Sequence, residues 1–207
     1  MADLAHEGTV AHAEHESTGV DNRKLGMWVF LSSEFLFFGA LITNYLLYTY
    51  RPGFSIYPAE IYDIPFTSVS SFVLLMSSLT MVLAHNALSR DDQAQARTWI
   101  FATAALGSVF LAGQVFEFTE FITHYDMKLT TNPVTSAFYM LTGFHGFHVA
   151  VGIVMLLSLW GISRFKGSLS EKRGMNLEMV GLYWHFVDII WIVIFTVVYL
   201  IDAARLG

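Results

Sequence analysis

The 207-residue chain has no cysteine, only four prolines, and charged residues amount to just 14% of it. Without cysteine there is no disulfide, no thiolate metal ligand and no copper–thiolate centre. A soluble domain carries about 25% charged residues, so the deficit excludes a surface that faces water on all sides. Eleven Lys and Arg stand against 17 Asp and Glu, and they form no basic patch of the kind nucleic acid selects. No Gly-x-Ser-x-Gly elbow occurs, which sets aside hydrolase chemistry of that type.

What the chain has is apolar sequence, 55% of it, with a mean hydropathy of +0.53. It falls into five runs at about 25–50, 67–88, 98–123, 134–163 and 177–203. Each supplies the ~20 apolar residues that a helix needs to cross a ~30 Å hydrocarbon core. The segments between them are too short for a soluble domain. The expected fold is therefore an all-α integral membrane protein, a bundle of five transmembrane helices over residues 25–207. Residues 1–24 read as a polar, acidic tail bearing His6, His12 and His15, too polar to bury and expected to be disordered.

Loop charge orients such a bundle. With the N-terminus in the cytoplasm, the cytoplasmic side receives Arg23, Lys24, Arg90, Arg97, Arg164, Lys166, Lys172 and Arg173. The other side keeps Arg51, Lys128 and Arg205. The positive-inside rule then predicts an inner N-terminus and an outer C-terminus. Pro52, Pro58, Pro65 and Pro133 are assigned to the two outer loops, and Tyr57, Tyr62, Trp99, Trp184 and Tyr199 to the span ends. Small residues should mark helix contacts, since lipid is as apolar as leucine and offers no hydrophobic drive. They recur as Ser70, Ser77 and Ala84 with Ser71 and Ser78 beside them, as Ala104, Ser108 and Ala112, and as Gly143, Gly146 and Gly152.

Polar residues within the spans are few: Glu34, Gln114, Glu117, His145, His148, His185 and Asp188, with Glu120 and Glu178 nearer the interfaces. Ionisable groups at that depth are costly, and are either functional or tie helices together. His145 and His148 are three apart on one helical face, which raises a metal site. Too few further donors exist for a haem or di-metal centre, so histidines bonded to carboxylates across helices are the preferred reading, and no metal is assigned. His185 lies three residues before Asp188, close enough for a local pair. Trp184, Asp188 and Trp191 form one stripe at i, i+4 and i+7. Trp28, Trp184, Trp191 and Arg164 are candidates for lipid or packing contacts. Buried acids and histidines could also serve a small membrane transporter, but neither an internal repeat nor a broken helix is visible.

Three stretches together resemble subunit III of haem-copper terminal oxidases: LGMWVFLSSEFLFF, TGFHGFHVAVG and YWHFVDIIWIVIFTVVY, with QVFEF as a weaker fourth. The resemblance covers about Leu25 to Tyr199 and matches the short bacterial form with five spans rather than seven. It implies an accessory subunit of a proton-pumping cytochrome c oxidase in the bacterial plasma membrane, reducing oxygen to water in aerobic respiration. A quinol oxidase is the alternative. It further implies no catalytic residue and no redox centre in this chain, with haem and copper in partner subunits I and II. Cytochrome c or quinol would reach the complex through those subunits. Phospholipid would be held by this chain, and oxygen access and proton uptake would be supported by it. Glu34 matches the family's buried carboxylate, His145 and His148 its paired histidines, and Asp188 the acid of its Trp-His-Phe-x-Asp run. An interhelical Glu34–histidine bond is expected. The resemblance points to His148 as its partner, whereas depth counted from the helix ends points to His185.

Overall fold

The computed structural model describes residues 22–51, 63–165 and 171–201, with side chains 171–173 excepted. Five long helices account for nearly all of them: α1 (Asn22–Thr49), α2 (Ile64–Ser89), α3 (Gln93–His124), α4 (Pro133–Phe165) and α5 (Glu171–Phe195). The last continues into a π-helical segment, Thr196–Leu200. All five are long and apolar enough to cross a membrane. Residues 1–21 of the expected tail lie outside the described residues, whereas Asn22, Arg23 and Lys24 form the first turn of α1.

The helices outrun the apolar runs because polar residues close their ends. Asp63 accepts the backbone N–H of Phe66 at 3.1 Å and starts α2. Asp92 does the same for Gln95 at 3.0 Å and starts α3, and Asn132 accepts the Thr135 N–H at 2.8 Å and starts α4. Each satisfies a donor that the helix itself cannot. Pro65 and Pro133 are not loop residues as expected. They occupy first helical turns, where a missing N–H costs nothing. The α2–α3 link is only Arg90–Asp92, and its reversal puts Asp91 at φ 60°, a left-handed conformation that aspartate tolerates better than most residues.

In hydrocarbon every backbone polar group must be satisfied within the segment. Hydroxyls that face lipid are handled the same way: Ser32 donates to the Trp28 carbonyl, Thr43 to Gly39 and Ser158 to Val154, each at 2.7–2.8 Å. The exposed surface is aliphatic and aromatic, with Leu36, Val29 and Phe35 all more than 60% exposed. This is a soluble protein turned inside out at its surface, but with an ordinary packed interior.

Neighbouring elements run α1–α4–α3–α2–α5, and α5 closes the ring by touching α1, α2 and α4. Half of the apolar window of α5 is buried, against 11% for α1, so α5 is the central helix and α1 the peripheral one. Close approach at α5 depends on glycine. A Cβ at Gly107 of α3 would lie 2.5 Å from the Trp184 ring, and one at Gly152 of α4 would lie 2.7 Å from it. The indole is thus seated on two bare backbones. Trp184 and Tyr199, expected at the headgroup level, are both 1% exposed and belong to the core. Tyr57 and Tyr62 lie outside the described residues.

Candidate functional site

The intramembrane polar residues do not gather into one pocket. They form a seam of separate ties, each joining two or three helices.

Glu34, on the inner side of α1, faces α4. His148 Nε2 lies 3.1 Å from Glu34 Oε2, and the two side chains are 12% and 19% exposed. The imidazole is fixed from behind, because its Nδ1 is 2.7 Å from the Phe144 carbonyl. A carbonyl only accepts, so Nδ1 carries a proton. Two arrangements remain for the other end: neutral imidazole accepting from a carboxylic acid, or imidazolium donating to a carboxylate. Both make the pair electrically neutral, which is what a site facing lipid requires. Tyr183 of α5 donates to the His148 carbonyl at 3.0 Å, so three helices meet at this point.

His185 is elsewhere. Its Nδ1 lies 2.9 Å from Ser78 Oγ of α2. His185 and Asp188 lie near enough to feel each other's charge, but no direct ion pair joins them among the described residues. Asp188 instead has Ser78 beside it, and one of its oxygens is buried without a partner. One hydroxyl on α2 therefore stands between an imidazole and a carboxyl of α5.

His145 and His148 also part company. A step of three residues turns the helix by about 60° short of a full circle, enough to send His145 into the core. It is fully buried, stacked on Trp191 at 4.9 Å, with Phe110 and Phe38 edge-on to it. Both ring nitrogens lack hydrogen-bond partners. Among the described residues no three His, Asp or Glu side chains converge.

Glu117 of α3 is the other buried carboxyl. Its Oε1 lies 2.9 Å from the Thr67 hydroxyl of α2 and 3.2 Å from the Tyr199 hydroxyl in the π segment. Beside it, Gln114 donates to the Thr142 carbonyl of α4 at 3.2 Å. The π turn widens the helix at the level of Tyr199, a deviation that π-helical turns often mark at functional positions.

The serine stripe of α2 has a role that small size alone did not reveal. Trp184 donates its indole N–H to Ser77 at 3.0 Å, and Trp191 donates to Ser71 at 2.8 Å. The signal was present as two matching periods: tryptophans seven apart on α5 and serines six apart on α2, which runs antiparallel. Of the other small residues, Ala104 is buried, whereas Ser108 and Ala112 are exposed and Gly143 has nothing near it. Those three are not helix contacts within this chain. Trp28 is 56% exposed at the α1–α5 groove, and Arg164 lines a cavity between α3 and α4.

A double-mutant cycle measures the Glu34–His148 tie. Glu34→Gln keeps an oxygen at the same place, whereas Glu34→Leu removes it. The expected coupling between Glu34→Leu and His148→Leu is about 0.6 kcal/mol, the average measured for hydrogen bonds between membrane helices, and at most about 1.7 kcal/mol. Thermal release of the subunit from detergent-purified complex reads it, and additive single effects would show that the contact contributes nothing.

Fold and seam together define a multi-pass helical membrane protein whose buried polar groups bind helix to helix. Residues 1–203 match the family described as cytochrome c oxidase subunit III, and the chain belongs to that family. It is 36% identical over 197 residues to cytochrome c oxidase subunit 3 of Thermostichus vulcanus, covering 94% of this chain and 95% of that one. To the Synechocystis cytochrome c oxidase subunit 3 it is 40% identical over 194 residues, covering 92% and 80%. A probable quinol oxidase subunit 3 of Staphylococcus saprophyticus is 34% identical over 201 residues, covering 93% and 99%. The protein is a multi-pass bacterial membrane protein and part of an oxidoreductase complex.

Proposed function

We propose that this chain is the accessory, non-catalytic subunit III of a proton-pumping haem-copper cytochrome c oxidase. The carrying observation is how the polar seam is used. Glu34, Glu117, His148 and His185 each face a group on another helix, so the interior stabilises a scaffold rather than assembling reactive groups. Haem and copper would sit in subunits I and II, against which this chain packs. The N-terminus is assigned to the cytoplasm on the excess of Arg and Lys at that end. The transporter reading gains no support from the family. A quinol oxidase is the second reading, favoured by the staphylococcal relatives named as quinol oxidase subunits.

The test is purification through a tag on this chain in mild detergent, followed by a complex lacking the chain. The expected result is co-elution with haem- and copper-bearing polypeptides, and an unchanged haem absorption spectrum in the complex without it. Turnover should begin normally there and decay faster. Loss of haem bands on removing this chain would overturn the non-catalytic assignment. Oxygen uptake driven by reduced cytochrome c or by quinol separates the two donors.

A further inference from the structure

Arg97 and Arg164 stand at the same end of the bundle, where α3 begins and the antiparallel α4 ends. They line a groove of about 430 Å³ with Phe101 and Trp160 in its wall, their ring centroids 5.5 Å apart. Arg97 is half-buried and Arg164 exposed, and no carboxylate lines the groove. Neither guanidinium has a hydrogen-bond or ion-pair partner among the described residues. Lys24 shows the contrast, because Glu178 meets it at 2.7 Å. Two unmatched cations in one groove repel each other, and an anion between them relieves that cost.

The start of α1 lies at this same end. Lys24 is in its first turn, and the bond to Glu178 holds that turn against α5. Only residues 166–170 separate the start of α5 from the end of α4. Helix α4 packs on both α1 and α3, so the groove is one or two helix widths of about 10 Å away from Asn22. The 21 residues before α1 carry five carboxylates, Asp3, Glu7, Glu14, Glu16 and Asp21, and no Lys or Arg. Glu16 and Glu14 precede Asn22 by six and eight residues. At ~3.3 Å per extended residue that is a reach of about 20–26 Å, enough to span the gap. Alternate residues of an extended chain point the same way, so both carboxylates can enter one groove.

We propose that the N-terminal tail of this chain docks in the α3–α4 groove, with Glu14 and Glu16 between Arg97 and Arg164. Guanidinium forks suit carboxylates because their N–H donors are parallel. Exposed ion pairs are weak, but the short tether raises the tail's local concentration to about the millimolar range. The docked tail neutralises both cations and closes the groove to other anionic groups.

These contacts lie within one chain and hold whichever electron donor the complex uses. The chain has no cysteine, so a pair introduced into it in the intact complex is unique within it. A short bismaleimide should join His15→Cys to Thr98→Cys, which lies exposed in the groove, as read by mass spectrometry of this chain. Ser89→Cys, exposed at the same end between α2 and α5, is the control for tethering alone. Cross-linking of position 15 to 98 should exceed that to 89 by about fivefold or more, the scale of two exposed ion pairs acting together. Glu14→Gln/Glu16→Gln should erase the preference, and so should salt at about 1 M. Arg97→Glu/Arg164→Glu should erase it too, and adding Glu14→Arg/Glu16→Arg should restore it, which a mere distortion of the groove would not allow. Equal cross-linking to 98 and 89, or no rescue by the reversed charges, overturns the proposal. So does a photoreactive side chain at position 98 that captures a phospholipid or another subunit instead of the tail.

Discussion

Gly152→Ala should destabilise the subunit by about 1–3 kcal/mol, the usual cost of overpacking a well-filled interior, and Gly152→Val should prevent assembly. The added Cβ would sit 2.7 and 2.8 Å from Trp184 ring carbons and 3.3 Å from Tyr183. The indole cannot swing aside. It is 1% exposed, its N–H is held by Ser77, and Gly107 backs its other edge at 2.5 Å from a built Cβ. Gly107→Ala should therefore behave alike, and the double variant should depart from additivity because both substitutions press on one ring. Gly143→Ala is the control. Nothing lies within 4 Å of that position, so alanine should be neutral, or stabilise by up to about 1 kcal/mol through helix propensity. The measurement is the temperature at which the subunit leaves the purified complex. Wild-type behaviour of Gly152→Ala would mean that Trp184 is not clamped as described.

The second large effect concerns Glu117. Glu117→Ala removes the acceptor that Thr67 and Tyr199 share and opens a cavity where three elements meet. The expected loss is about 2 kcal/mol, the sum of modest hydrogen-bond and packing terms. Glu117→Gln keeps Oε1 and should stay within about 0.5 kcal/mol of the wild type if the oxygen alone matters. Glu117→Leu fills the volume without the acceptor, so its position between the other two apportions the loss between packing and hydrogen bonding. A glutamine variant as unstable as the alanine one would show that the carboxyl group itself, rather than its oxygen as an acceptor, is required. Both predictions concern α5 or its π extension, which is consistent with the central helix being where the bundle is least tolerant.

Glu34 shows how far sequence reasoning reached. That a carboxyl in hydrocarbon must be neutralised or hydrogen-bonded could be argued from its cost there, and a histidine across a helix boundary was the expected partner. Which histidine could not, because depth favoured His185 and only the family resemblance favoured His148. The structure brings His148 to within 3.1 Å of it and gives His185 to Ser78. His145, one turn from His148, could not be distinguished from it by spacing, yet one is sealed against Trp191 and the other ties α1 to α4. The glycine seats of Trp184 had no sequence signal of their own, since Gly143 reads the same as Gly152 and has open space around it.

The sequence by itself determined the number of spans, their approximate limits and the family. These depend on properties read along the chain: the length of an apolar run is set by the thickness of the bilayer, and motif order needs no partner. Only the tertiary structure decided which face of each helix turns inward and which polar groups meet. In lipid, an outward leucine and an inward one cost nearly the same, so apolar periodicity does not orient a helix. Rotation and vertical offset are fixed by a handful of cross-helix contacts: Ser77 and Ser71 under two indoles, Glu34 against His148, Glu117 against Thr67 and Tyr199. Those contacts join residues 50 to 120 positions apart in the chain, a distance over which a linear pattern has no physical means of specifying geometry.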